Sequence, residues 1–202
     1  TFYLFVLAAL GAGLLPKGSM RAALLLLVPV LAALQIWSLP EGNLYQVELL
    51  GQQLELMRVD KLSRVFGLIF CIAAFLGNLY AWHIKDTVQQ IAAVLYSGSA
   101  IGAVFAGDLV TLFFYWEGTA LASVFLIWAR RTEGAHHPGM RSLIIQITSG
   151  VIFLAVTALL YRATGSIALV QLPLGLLAHL LLVLSFSITC PLAFFHTSFQ
   201  HS

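Results

Sequence analysis

Hydrophobic stretches long enough to cross a bilayer alternate along this chain with short polar breaks, the pattern required when every backbone amide must be satisfied inside a helix. The apolar segments run approximately Phe2–Leu15, Ala22–Leu39, Val65–Trp82, Val88–Ala106, Leu109–Ala129, Leu143–Tyr161 and Leu177–Phe195. They predict an all-α integral membrane fold with about seven transmembrane helices. The first segment is short, and the chain opens on Thr1 with no basic region before it. A cleaved signal peptide is therefore not expected, and residues missing upstream are.

The longest break, Pro40 to Leu62, holds two alternating runs, Tyr45-Gln-Val-Glu-Leu and Leu54-Glu-Leu-Met-Arg-Val, joined through Gly51-Gln-Gln. It reads as a short β-hairpin on the membrane surface, with a plain polar loop as the alternative. The other breaks are tight, and none resembles an extramembrane domain. Breaks after the first, third and fifth segments carry Lys17, Arg21, Lys85, Arg130, Arg131 and Arg141, against Arg58, Lys61, Arg64 and Arg162 after the second, fourth and sixth. Six against four places the amino terminus and the hairpin outside and Arg130-Arg131 in the cytoplasm.

Composition agrees: 60% of the 202 residues are hydrophobic and 9% charged, far from the usage of soluble proteins. Ten Lys/Arg against eight Asp/Glu leave a net charge of +2. The basic residues are scattered singly or in pairs, which excludes a nucleic-acid footprint. Cys71 and Cys190 lie in apolar runs without CxxC or Cys/His spacing, so they read as small buried hydrophobes rather than a disulfide, zinc site or iron–sulfur cluster. No cofactor or metal is expected.

One carboxylate stands in the wrong solvent. Glu117 lies nine residues after Asp108 and thirteen before Arg130, about 14 Å and about 20 Å along a helix from the two polar ends. Ionisable groups at that depth are costly, face a protein interior or hydrated cavity, and are kept where protons or ions use them. Desolvation favours the protonated acid and a nearby ammonium favours the anion, so a group set between the two loads and releases a proton as its partner moves. The plainer alternative is a permanently protonated acid bonded to a neighbouring helix.

Other polar residues at membrane depth are Asn78, Ser97, Ser99, Gln146, Thr148, Ser149, His179 and Thr189, each readable as a packing residue or as a relay. His179 is the best relay candidate, because a neutral imidazole both accepts and donates. His136-His137 read as a solvated loop pair. Trp37, Trp82 and Trp128 read as interfacial anchors. Gly98 with Gly102, and Gly118 with Ala122, have the spacing of close helix packing.

Arg58-Val-Asp-Lys-Leu-Ser, Ala73-Ala-Phe-Leu-Gly, Gly98-Ser-Ala-Ile-Gly-Ala-Val-Phe-Ala-Gly-Asp-Leu-Val-Thr-Leu-Phe and Trp116-Glu-Gly-Thr-Ala-Leu-Ala-Ser-Val-Phe-Leu-Ile-Trp-Ala-Arg-Arg closely resemble the D subunit of Mrp-type multisubunit sodium/proton antiporters. That family is homologous to the antiporter-like, proton-pumping subunits of respiratory complex I. The resemblance implies a subunit of about fourteen helices built from two inverted five-helix repeats, of which this chain is an amino-terminal part. Residues 1–64 would be amino-terminal spans and the external hairpin, and residues 65–202 a partial proton-translocation repeat.

In the family a glutamate of the fifth span pairs with a lysine of the seventh, and Glu117 falls on the glutamate position. The family's Phe-Gly-Ile-Lys-Cys-Ala-Phe-Pro-Leu-Leu-His type segment corresponds to Phe186-Ser-Ile-Thr-Cys-Pro-Leu-Ala-Phe-Phe-His. Ile188, Cys190 and His196 stay in register, so Thr189 occupies the lysine position. Threonine can hydrogen-bond a protonated acid but supplies no positive charge.

The resemblance implies proton, and with it sodium, translocation with Glu117 as the proton-binding group and Gln146, His179, Thr189 and His196 as candidate relays or partners. It implies a multi-pass component of the inner (plasma) membrane, inside a multisubunit antiporter or complex-I-like assembly, and not itself an enzyme. The alternatives are a truncated or degenerate membrane fragment that transports nothing, and a membrane component of an NADH:quinone oxidoreductase whose redox groups lie on other chains.

Overall fold

The computed structural model describes residues 1–15, 18–49, 52–84, 86–129 and 136–165. Among the described residues, six helices and one hairpin follow in chain order: α1 (Phe2–Leu14), α2 (Ser19–Ser38), β1 (Gly42–Leu49), β2 (Gln52–Val59), α3 (Lys61–Tyr80) with a 3-10 turn at Ala81–His83, α4 (Thr87–Val104), α5 (Leu109–Ala129) and α6 (His136–Thr164). Four stretches among the described residues are long and apolar enough to cross a membrane: Ser19–Ser38, Lys61–His83, Leu109–Ala129 and Gly139–Arg162. The seventh apolar segment, with His179, Thr189, Cys190 and His196, lies outside the described residues, as do Lys17, Lys85, Arg130 and Arg131.

The side chains are sorted as a bilayer sorts them. On α1 the buried positions are Phe5, Ala8, Ala9 and Ala12, whereas Leu7, Leu10 and Leu14 point outward, Leu14 with 88% of its surface free. Small residues inside let helix backbones approach, and large aliphatic ones outside cost nothing against lipid. In water a surface of that kind would be an interaction site or an aggregation hazard. The main core lies between α1, α2, α4 and the hairpin, around Phe5, Ile36, Met57, Ile101 and Phe105, and a smaller one, Leu109, Phe153, Val156 and Leu160, joins α5 to α6.

The Pro40–Leu62 break is a hairpin: β1 and β2 pair antiparallel, with the register irregular around Tyr45. Leu54, Met57 and Val59 turn inward, while Tyr45 and Val47 face out. The strand side of the break ends earlier than expected, because residues 61–64 form the first turn of α3. The reason is local: Asp60 accepts from the Ser63 backbone N–H at 2.7 Å, and the Ser63 hydroxyl accepts from the Asp60 N–H at 2.9 Å, a reciprocal cap.

The expected loop around His136-His137 is likewise helix, since α6 begins at His136 rather than Leu143. Pro138 sits in the first turn, where its missing N–H breaks no bond. Arg21, expected in a break, is the third residue of α2 and only 2% exposed. Its guanidinium donates to the Ala12 carbonyl at 2.9 Å and the Thr87 hydroxyl at 3.1 Å, tying the ends of α1 and α4 to α2. As a buried staple, it is a poor vote in a count of solvent-facing charges.

Pro29 lies inside α2. A proline there lacks the N–H that would bond the carbonyl four residues earlier, that of Leu25. Asn78 of α3 supplies the missing donor, its Nδ2 reaching the Leu25 carbonyl at 2.7 Å. Asn78 thus has a structural occupation at membrane depth.

Candidate functional site

Asp108 immediately precedes α5. This residue, 1% exposed, accepts three hydrogen bonds: from the Thr111 backbone N–H at 2.7 Å, the Thr111 hydroxyl at 2.8 Å and the Glu55 backbone N–H at 2.6 Å. The first satisfies one of the open N–H groups that every helix start leaves. The third reaches back to β2, whose outer side is also held by Arg58 N–H to the Phe105 carbonyl at 2.7 Å and Gly107 N–H to the Glu55 carbonyl at 3.0 Å. The hairpin is therefore fastened to the α4–α5 turn.

Glu117 is the ninth residue of the 21-residue α5, about 12 Å from its first residue and about 18 Å from its last. α5 packs antiparallel to both its neighbours. Towards α4, Tyr115 fills the space over Gly102 and Gly118 abuts Ser99; towards α6, Trp128 lies on Gly139, and Glu117 and Phe113 lie on Gly150. Phe113 also stacks on Phe153, ring centroids 6.3 Å apart. The carboxyl of Glu117 thus enters the α5–α6 seam.

Its Oε1 is buried and has no hydrogen-bond partner among the described residues. Every other described Asp or Glu lies outside the helices: Asp60 and Asp86 cap α3 and α4, Asp108 immediately precedes α5, and Glu41, Glu48 and Glu55 belong to the hairpin and its approach. Glu117 alone among them occupies the interior of a membrane-length helix.

Gln146 is on α6 one turn before Gly150, and residues four apart share a helix face. Its Oε1 is also buried without a partner among the described residues. The remaining candidates have plainer occupations. The Ser97 hydroxyl donates to the Ala93 carbonyl at 2.9 Å and that of Thr148 to the Ile144 carbonyl at 2.8 Å, each within its own helix. Ser149 is 1% exposed, and Ser99 is a packing contact for Gly118.

Gly98 and Gly102 do not make a bare backbone contact; they receive the side chains of Phe5 and Tyr115. Phe2 meets Tyr115 edge to face at 5.2 Å, closing that α1–α4–α5 contact. Trp37 and Trp82 are exposed at helix ends, as anchors would be, but Trp128 is packed on Gly139 and beside Phe125, ring centroids 5.9 Å apart.

Two residues that shape the site are not among those singled out by hydropathy and spacing. Asp108 as a cap is visible in Asp108-Leu-Val-Thr111 ahead of an apolar run. Gly150 is not, because a glycine inside a hydrophobic stretch carries no periodic signal. A cavity of about 70 Å³ lies apart from Glu117, lined by Leu25, Asn78, Trp82, Gln90 and Leu126 among others. No group of three or more His, Cys, Asp or Glu able to hold a metal occurs among the described residues.

Residues 106–200, which include Glu117, match the family described as NADH:quinone oxidoreductase/Mrp antiporter, transmembrane. The chain is 29% identical over 119 residues to the A-type component of the Na(+)/H(+) antiporter of Alkalihalophilus pseudofirmus, a match covering 55% of this chain and 15% of that protein. Such curated relatives are A-type components, not the D subunit to which the motifs pointed. The fold is that of a chain in the Mrp complex of a Dietzia species, with a TM-score of 0.77, 22% identity, and coverage of 95% of this chain and 22% of that one. An archaeal respiratory membrane complex, the membrane-bound sulfane sulfur reductase, contains a chain with the same fold at a TM-score of 0.77, 18% identity, and coverage of 95% and 33%. Residues 106–200 are thus similar in sequence to that family, and nearly the whole chain shares the fold of these membrane chains.

Proposed function

We propose that this chain is part of a proton-translocating membrane subunit in which Glu117 is the group that holds a proton in mid-membrane. The observation that carries the reading is a carboxyl group midway along a membrane-length helix whose Oε1 is buried and unpartnered among the described residues. Acids with fixed donors build structure. One without them is available to a mobile proton or a water, and Gln146 supplies an amide one turn away along the same seam. Thr189, His179 and His196 are proposed partners from the resemblance, with Thr189 accepting or donating a hydrogen bond where a lysine would have supplied charge.

Sodium as the exchanged ion rests on the names of the relatives. A place in the plasma membrane and association with other antiporter subunits rest on the same likeness. The division at residue 64 into leading spans and a partial translocation repeat follows the resemblance. The reading carried forward is the one common to A- and D-type subunits. A respiratory membrane arm is the second reading, favoured by the likeness to the sulfane sulfur reductase chain, and it assigns Glu117 the same task.

The test is proton flux in vesicles holding the full chain with its partner subunits, before and after Glu117→Gln. Loss of the titrating group should lower flux about tenfold or more, equivalent to at least about 1.4 kcal/mol on the barrier. Unchanged flux in an active, correctly inserted complex overturns the assignment.

A further inference from the structure

We infer that Gly150 is a positioning residue for Glu117: by having no side chain it forms the notch in α6 that seats the carboxyl in the α5–α6 seam. A Cβ built on Gly150 collides with Oε1 of Glu117, would stand 2.9 Å from its Cδ, and would press on Phe113 at 3.3 Å. The obstruction is rigid on the aromatic side, because Phe113 is itself stacked on Phe153. The glutamate would have to yield, moving its carboxyl out of the seam. The only groups of Gly150 facing the carboxyl are backbone, and a Cα–H is a weak donor. The notch therefore holds the acid in place without occupying its acceptor sites, as a hydroxyl or amide at position 150 would.

The helical conformation needs no glycine there, since Gly150 has an ordinary backbone and alanine is the better helix former. Gly77 on α3 is the matched control, for a Cβ built there meets nothing within 4 Å.

The placement rests on the proton-site reading for its functional meaning, and two measurements keep them apart. The first is the initial rate at which dicyclohexylcarbodiimide, a lipid-soluble reagent for protonated carboxyls, labels position 117 in membranes holding the full chain. Gly150→Ala should raise labelling several-fold as the acid leaves the seam, Gly77→Ala should leave it at the parent rate, and adding Glu117→Asp to Gly150→Ala should restore protection, because the shorter side chain clears the new methyl. Labelling of Gly150→Ala at the parent rate overturns the inference.

Should Gly150→Ala fail to accumulate, recovery of the protein on adding Glu117→Asp supports the notch, and failure to recover overturns it. The second measurement is flux with Glu117→Gln. Unchanged flux with altered labelling sinks the proton reading and leaves the notch standing, whereas lost flux with unaltered labelling does the reverse.

Discussion

Asp108, just ahead of α5, and Glu117, within it, are nine residues apart, yet the chain treats their carboxyl groups in opposite ways. Asp108 is surrounded by donors: two come from Thr111 and one from β2. Glu117 enters a seam whose nearest surface is a glycine and an aromatic ring, with Oε1 unpartnered among the described residues. Asp108 is fully buried, whereas Glu117 is partly exposed with its Oε1 buried. What most separates the two carboxyl groups is the number of fixed donors. The start of α5 is determined by its capping bonds, and that rigidity is what allows a loosely bonded acid further along to keep a defined position.

The sharpest way to break the comparison is to remove the donors' target. Asp108→Ala leaves three N–H or O–H groups without their acceptor in a fully buried place, and should destabilise the protein by about 2–4 kcal/mol. It should also free the hairpin, because the Glu55 N–H anchor is lost with it. Thermal unfolding in detergent, with hydrogen exchange across residues 42–59, measures both effects. If the hairpin amides stay as protected as before, the backbone bonds at Phe105 and Gly107 suffice without Asp108.

Asn78 gives a smaller effect and a contrast of another kind, a polar group at membrane depth whose amide N–H has a fixed acceptor. Asn78→Ala removes the donor from the Leu25 carbonyl that Pro29 has already left open, and should cost about 1–3 kcal/mol. Replacing Pro29 with alanine in that variant should recover most of the loss, since the helix can then make its own bond to Leu25. A double variant no better than Asn78→Ala alone would show that the amide has another role.

The pattern of apolar runs is enough to place α5 at Leu109–Ala129 to the residue, because polar breaks flank it on both sides. It also suffices for the existence of the hairpin, but not for its faces: Leu54 and Met57, three residues apart, both turn inward because the register is irregular between them. Helix starts are harder. α3 and α6 begin in polar turns, Lys61–Arg64 and His136–Ser142, which read as loop when hydropathy is the guide and, for α3, as helix once the Asp60–Ser63 cap is recognised. Glu117 is legible because a charge in an apolar run violates the pattern. Its setting is not: the Gly150 notch depends on the register of two antiparallel helices, and the Asp108 anchor joins groups 53 residues apart. Neither leaves a mark in local spacing.

Asp60 completes the series as an acid with donors outside the membrane. The Ser63 backbone N–H holds its carboxyl below the usual aspartate range, aided by the Ser63 side chain and the nearby Arg58 charge. Losing that cap in Asp60→Ala should cost about 1 kcal/mol near neutral pH. Because the folded state depresses the group's titration, the stabilisation is present above the ordinary aspartate range and fades as pH falls through the folded-state value. The gap between parent and Asp60→Ala should therefore narrow on acidification, and Asp60→Asn, which keeps an acceptor but cannot titrate, should hold its margin over Asp60→Ala at every pH. Unfolding midpoints across the acid range decide it. A gap between parent and Asp60→Ala that is flat with pH would mean the cap is carried by the Ser63 hydroxyl's half of the exchange rather than by the carboxylate.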